Sequence, residues 1–318
     1  MKPSRILVVG GSGFLGRHVV ARLSARNARV IVPTRRRERA RHLLLLPTVD
    51  VVESGTSPRE LAALLEGCDA AVNLVGILQG RWGTPYGPEF AEAHVALPGR
   101  LAAACAQAGV RRLVHVSALG VGPDAGALPS MYLRSKADGE RAIRDTPGID
   151  WTILRPSVVF GPEDRFLNMF ARAQRLAPVL PIPRAHTRFQ PVYVGDVAQA
   201  VVNALETPET IGRTYELAGP EVFTLEALVR LAGRWSGHER PVWALPFTLG
   251  QLQASILARV PGPTLMSRDN FDSMAIDNVA SGPVAPELGI VPTPLAAVAP
   301  TYLSSRVKFD EARTRAHR

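Results

Sequence analysis

Three glycines, Gly10, Gly13 and Gly16, recur at every third position of VVGGSGFLG. The β-branched run Ile6–Val9 precedes them, and Leu15, Val19, Val20 and Leu23 follow at helical spacing, so they occupy a strand-to-helix turn. Positions without side chains let the backbone bend sharply against a diphosphate, and the amino end of the helix supplies N–H donors. Ser12 adds a hydroxyl suited to holding phosphate. The expected chemistry is therefore binding of a dinucleotide. At the end of the second strand, where an acidic residue would receive free ribose hydroxyls, the chain reads Thr34, Arg35 and Arg36. Arginine pairs with a 2′-phosphate that a carboxylate would repel, so NADP(H) is expected over NAD(H).

Tyr132 and Lys136 stand four apart on a predicted helix and project from one face. A cation beside the phenol favours its ionised form, which brings its pKa from about 10 toward neutrality and suits it to proton exchange. The same spacing also makes an ordinary helix surface. None of the seven histidines has metal-ligand spacing, and no metal is expected. His115, within LVHVS, reads as a satisfied core residue, and Cys68 and Cys105 as small buried apolar groups. The sequence Gly11–Ser12–Gly13–Phe14 is not a nucleophile elbow.

These residues need a scaffold, and the hydrophobic pattern supplies one. Strands are predicted at Ile6–Val9, Val30–Val32, Val49–Val52, Ala70–Val75, Leu113–Ser117 and Trp151–Leu154, the second and third read as apolar on both faces. Helices alternate with them: one begins at Ser57 with a capping box to Glu60, and another runs from Pro88 to Ala108 and stops at Gly109. This alternation predicts an α/β fold, a Rossmann-type doubly wound parallel sheet, with a dinucleotide-binding core over residues 1–161. Residues 162–305 are expected to complete the sheet and to form a small C-terminal substrate or lid lobe, and 306–318 a flexible basic tail.

The net charge of +9 opens the door to nucleic acid, but the arginine-rich stretches, Arg35–Arg41 and Arg306–Arg318, lack interleaved aromatics, so no nucleic-acid partner is expected. The short apolar run after Met1 leads directly into the glycine turn, unlike an export signal, and a cytoplasmic location is expected. Polar residues interrupt Val242–Val260, so that stretch does not read as a membrane span. Its Phe247–Val260 part could lie on a membrane or serve as a lid.

VVGGSGFLG, the Tyr132/Lys136 pair and ILRPSVVFGP together resemble the extended or atypical short-chain dehydrogenase/reductase superfamily, of epimerase and dehydratase type. NLVGIL (73–78), HVSALG (115–120), TILRPSVVFGPEDRFLN (152–168), PVYVGDVAQAV (191–201) and DNV (277–279) more narrowly resemble the nucleotide-binding accessory subunit of respiratory complex I and its bacterial homologues. That resemblance implies a tightly held NADP(H) and a structural or assembly role at a quinone-reducing membrane complex, with some relatives tied to quinone biosynthesis. By position it implies Gly10, Ser12, Gly13, Phe14 and Leu15 at the pyrophosphate and Arg35 at the 2′-phosphate. It implies Leu74, Val75 and Gly76 at the adenosine side, and Ser117, Tyr132, Lys136, Pro156 and Val158 around the nicotinamide. Active extended members carry Ser or Thr where this chain has Ala118. Losing such a donor costs about 2.7–4 kcal/mol of transition-state stabilisation unless Ser117 takes its place. The expected function is a cofactor-binding scaffold attached to a membrane or respiratory complex. The alternatives are an active reductase or epimerase using Tyr132, Lys136 and Ser117 on an unidentified small molecule, or a dinucleotide redox sensor.

Overall fold

A computed structural model describes residues 3–122, 124–246, 248–250, 253 and 267–304. The basic tail and most of the Phe247–Val260 stretch lie outside the described residues. The chain gathers into two compact units. The first contains residues up to Pro156, with Val194–Leu217 and Ser281–Val291. The second contains Ser157–Tyr193, Ala218–Ala280 and the chain from Pro292.

A seven-stranded sheet organises the first unit, with β1 at Arg5–Val9, β2 at Arg29–Thr34, β3 at Val49–Glu53 and β4 at Ala70–Asn73. The others are β5 at Arg112–Val116, β6 at Asp150–Pro156 and β7 at Arg213–Leu217. All neighbours pair in parallel in the order β7-β6-β5-β4-β1-β2-β3, so the chain reverses direction across the sheet between β1 and β4. This is the Rossmann-type sheet that the alternating pattern predicts, and the gap at its reversal is where open α/β sheets take ligands.

Both faces of the sheet are covered. Helix α1 (Phe14–Ala25) buries Val19, Val20 and Leu23, the residues that recur at helical spacing in the sequence. Helix α2 (Pro58–Leu65) starts with the predicted capping box, in which Glu60 accepts the Ser57 N–H at 2.9 Å and Ser57 accepts the Glu60 N–H at 3.4 Å. Such a cap stabilises by about 1 kcal/mol. Cys68 and Cys105 are buried in the core between α2 and the sheet, as small apolar groups would be.

Two predicted boundaries shift, and a seventh strand joins the six predicted. Strand β4 ends at Asn73 rather than Val75, because the Asn73 side chain accepts the Val75 N–H at 3.1 Å and turns the chain out of the ladder. The long helix from Pro88 is broken by a π-helical segment, Ala91–Ala96, before its regular part, Leu97–Gln107. The seventh strand comes from Arg213–Leu217, after a helix at Val194–Glu206 that packs on α1. That strand pairs with β6, and Arg112 ties β6 to the preceding helix and the turn after it, donating to Thr152 Oγ1 at 2.7 Å, to Thr210 Oγ1 at 2.8 Å and to the Ala204 carbonyl.

The second unit has its own apolar core, in which the helix Leu225–Ser236 packs against both Phe166–Leu176 and Leu295–Leu303. Buried Asp164 ties this unit together by accepting the Leu167 N–H at 2.7 Å and the Tyr302 hydroxyl at 2.6 Å. No described helix is long and apolar enough to cross a membrane.

Candidate nucleotide site

The turn after β1 is built by exclusion of side chains. Gly10 adopts φ +86°, and a Cβ there would sit 3.0 Å from the Leu74 carbonyl carbon and 3.1 Å from the Val75 nitrogen. A Cβ on Gly16 would overlap the Gly10 carbonyl oxygen, and one on Gly13 would press it at 3.3 Å. The turn therefore lies directly against the loop that follows β4. No side chain caps the amino end of α1, whose N-cap is Gly13 itself. A bare helix terminus behind a side-chain-free turn fits a diphosphate. Ser12, Phe14 and Leu15 are half-buried around it.

At the end of β2, Thr34 is buried and its hydroxyl donates to the Arg36 carbonyl at 3.0 Å. Arg35 and Arg36 are exposed, and no carboxylate stands among residues 33–37. Beyond β4, Leu74 and Val75 are half-buried and Gly76 is exposed.

Lys136 closes the other side. It lies in the helix Met131–Arg144, is 2% exposed, and donates to the Val75 carbonyl at 3.3 Å and the Val116 carbonyl at 3.2 Å. Burial pushes its pKa down to about 8, against the opposing pull of Glu140. Glu140 is itself buried and held by Arg155, through bonds of 2.8 and 2.6 Å, and by Arg144 at 2.7 Å. Ser117 is buried just past β5, and its hydroxyl has no hydrogen-bond partner among the described residues. Pro156 ends β6 buried, with its carbonyl accepting the Leu119 N–H at 2.9 Å. Val158 belongs to the second unit, where its N–H donates to Asn278 Oδ1 at 2.9 Å.

The fold thus brings the glycine turn, Leu74–Gly76, Lys136 and Ser117 to one end of the sheet around its reversal. Residues 6–218 match the "NAD dependent epimerase/dehydratase family". The chain belongs to that family. Among relatives of this family member is NADH dehydrogenase (ubiquinone) 1 alpha subcomplex subunit 9, mitochondrial, from Arabidopsis thaliana. It is 32% identical over 86% of this chain and 70% of its own length. A second, the (4-alkanoyl-5-oxo-2,5-dihydrofuran-3-yl)methyl phosphate reductase of Streptomyces griseus, is 31% identical over 81% of this chain and 82% of its own. Among solved structures, the UDP-glucuronic acid 4-epimerase of Bacillus cereus, in complex with UDP-glucuronic acid and NAD, superposes with a TM-score of 0.62. It is 20% identical, over 85% of this chain and 99% of the epimerase. At that identity the likeness speaks to the fold.

Two features of this family member were not legible in its sequence. The first is His94, wholly buried in the π-helical segment. Its Nε2 accepts the Ile77 N–H at 3.0 Å, so the ring proton resides on Nδ1 and is donated to Ser135 Oγ, 2.8 Å away. Ser135 in turn donates to the Tyr132 carbonyl at 2.9 Å. One neutral imidazole thereby ties the loop after Gly76 to the helix carrying Tyr132 and Lys136. Burial and the nearby Lys136 push its pKa down to about 2, which keeps it neutral. The helices meet closely enough that a Cβ on Gly139 would overlap the His94 carbonyl oxygen. A histidine on a buried helix face is the only local signal, because its partners lie 17 and 41 residues away.

The second feature is His115. It is buried as expected but is not satisfied: neither ring nitrogen has a hydrogen-bond partner among the described residues. Asn73, its register neighbour on β4, leaves Nδ2 unpartnered as well. Burial, reinforced by Lys136, depresses the His115 pKa and favours the neutral ring.

Proposed function

We propose that this chain is an NADP(H)-binding accessory or scaffold protein, cytoplasmic and peripherally attached to a respiratory complex or to quinone-linked machinery. The observation that carries this reading is a pair of neighbours with opposite fates. The dinucleotide turn keeps every side-chain-free position, whereas Ala118 lies 7% exposed in an apolar cluster with Val121, Leu133 and Ala137. A hydroxyl that would orient a substrate oxygen in an active extended member is replaced by packing. The Arabidopsis relative, named as an NADH dehydrogenase (ubiquinone) subunit, supports the partner assignment.

In this reading Gly10, Ser12, Gly13, Phe14, Leu15 and Gly16 surround the pyrophosphate, and Arg35, aided by Thr34 and Arg36, receives the 2′-phosphate. Leu74, Val75 and Gly76 line the adenosine side; Ser117, Tyr132, Lys136 and Pro156 face the nicotinamide ribose. The bound cofactor would supply hydride chemistry; the protein's residues bind and orient it. Mass spectrometry of the purified protein should find NADP(H), and calorimetry should show NADPH binding more tightly than NADH. Arg35→Ala should weaken NADPH by about ten- to a hundredfold, the loss of a charge-assisted bond, and leave NADH nearly unchanged. Equal losses for the two would remove the 2′-phosphate role.

Lys136 favours a second reading, an active reductase or epimerase, as does the reductase of Streptomyces griseus. A buried ammonium poised near 8 on the same helix face as Tyr132 suits proton exchange with a substrate hydroxyl, and the unpartnered Ser117 hydroxyl could replace the missing donor. NADPH oxidation with quinone precursors, sugar nucleotides or ketones, abolished by Tyr132→Phe, would establish it. A purified protein that holds NADP(H) and turns over none of them supports the scaffold.

A further inference from the structure

Residues 35–45, RRRERARHLLL, form a basic and apolar projection at the β2–β3 end of the sheet. A 3-10 helix, Arg37–Leu43, is pinned to β3 by Ala40 and Leu43, which are 0% and 1% exposed. Anchoring those two residues turns the rest outward. Arg35, Arg36, Arg37, Arg39 and Arg41 are all exposed, with Glu38 the only carboxylate in the segment. Arg35 and Arg36 belong to the nucleotide site proposed above; Arg37, Arg39 and Arg41 remain, and none of these three has an ion-pair partner among the described residues. Leu44 and Leu45, which follow the helix, are 48% and 89% exposed.

Two adjacent exposed leucines that follow three exposed arginines in sequence combine an apolar and a cationic surface in one short segment. Guanidinium groups pair in bidentate fashion with phosphate, and the leucines gain by entering a hydrocarbon boundary. A nucleic acid would satisfy the arginines and leave the leucines in water; a neutral protein groove would do the reverse. We infer that Arg37–Leu45 is a docking element for an anionic bilayer surface, with Leu44 and Leu45 seated among acyl chains and the arginines at the headgroup phosphates. This deepens the peripheral attachment proposed above by naming the surface and the lipid charge it requires. Vesicle binding and nucleotide binding are measured separately, so either can fail without the other.

The test uses the full chain with vesicles of phosphatidylcholine alone and of phosphatidylcholine mixed with phosphatidylglycerol, read by co-sedimentation. Binding is expected only to the mixed vesicles and should weaken as salt is added. Each basic residue near an anionic surface contributes about fivefold in affinity, so Arg37→Ala/Arg39→Ala/Arg41→Ala together should cost about a hundredfold. Leu44→Ser/Leu45→Ser should cost about tenfold through lost apolar burial. Both variants change exposed side chains and should keep wild-type NADPH affinity and thermal stability. Vesicle binding unchanged in either variant, or duplex DNA bound as tightly as the mixed vesicles, would overturn the inference.

Discussion

The two sides of the candidate site are made of different material. On the β1 side the backbone does the shaping: Gly10 and Gly16 are required because any Cβ would strike the main chain, and few polar side chains take part. On the β5 side the shape is held by buried polar groups, with Lys136 on two carbonyls, His94 between Ile77 and Ser135, and Glu140 between two arginines. A turn made by absent side chains tolerates no addition. A network made by paired side chains tolerates no subtraction.

That contrast can be broken at several points. The largest effect is expected from Gly16→Val, which forces bulk into the Gly10 carbonyl. It should destabilise by about 3 kcal/mol or more and abolish NADPH binding, read by calorimetry and thermal melting. A variant that still bound the nucleotide would mean that the turn can rearrange.

Lys136→Met sharpens the other side through pH. The folded pKa of Lys136 lies at about 8, below its ordinary value of 10.5, so between these values the unfolded chain holds a proton that the folded chain lacks. Stability from this group therefore rises as pH rises through that window and is lowest below it. The difference between wild type and Lys136→Met in denaturant unfolding should change by about 3 kcal/mol from pH 8 to pH 10.5, with the variant the more stable at the acid end. A constant difference would place the ammonium in contact with water.

His94→Leu leaves the Ile77 N–H without its acceptor and should cost about 2 kcal/mol, whereas His94→Asn, which can offer an acceptor, should cost less. Equal losses would mean that the imidazole acts by volume alone. Ser117→Ala is the smallest and has the opposite sign. Removing a buried hydroxyl with no partner should be neutral or stabilise by up to about 1 kcal/mol in the nucleotide-free protein, checked by urea unfolding.

The same contrast separates what the sequence shows from what it hides. The glycine spacing, the capping box at Ser57 and the apolar runs of β1, β2 and β3 are local patterns, each read within a few residues, and together they give the sheet. Tyr132 and Lys136 stand out because four residues make one helical turn. His94 does not, because its role exists only when the helix after Pro88 crosses the helix after Ser130, and its π-helical setting interrupts the periodicity that would mark a buried face. Strand β7 is hidden for a related reason: RTYEL has a partly polar pattern and becomes a strand by pairing with β6.

That late strand has a consequence for how the molecule is made. Because β7 is synthesised after the first segment of the second unit, a nascent chain ending near residue 161 would present β6 as an open edge and leave Arg112 without Thr210 and the Ala204 carbonyl. The sheet of the nucleotide half thus cannot be completed on the ribosome before residue 217 has emerged, and a truncation at the apparent end of the Rossmann pattern should aggregate rather than fold.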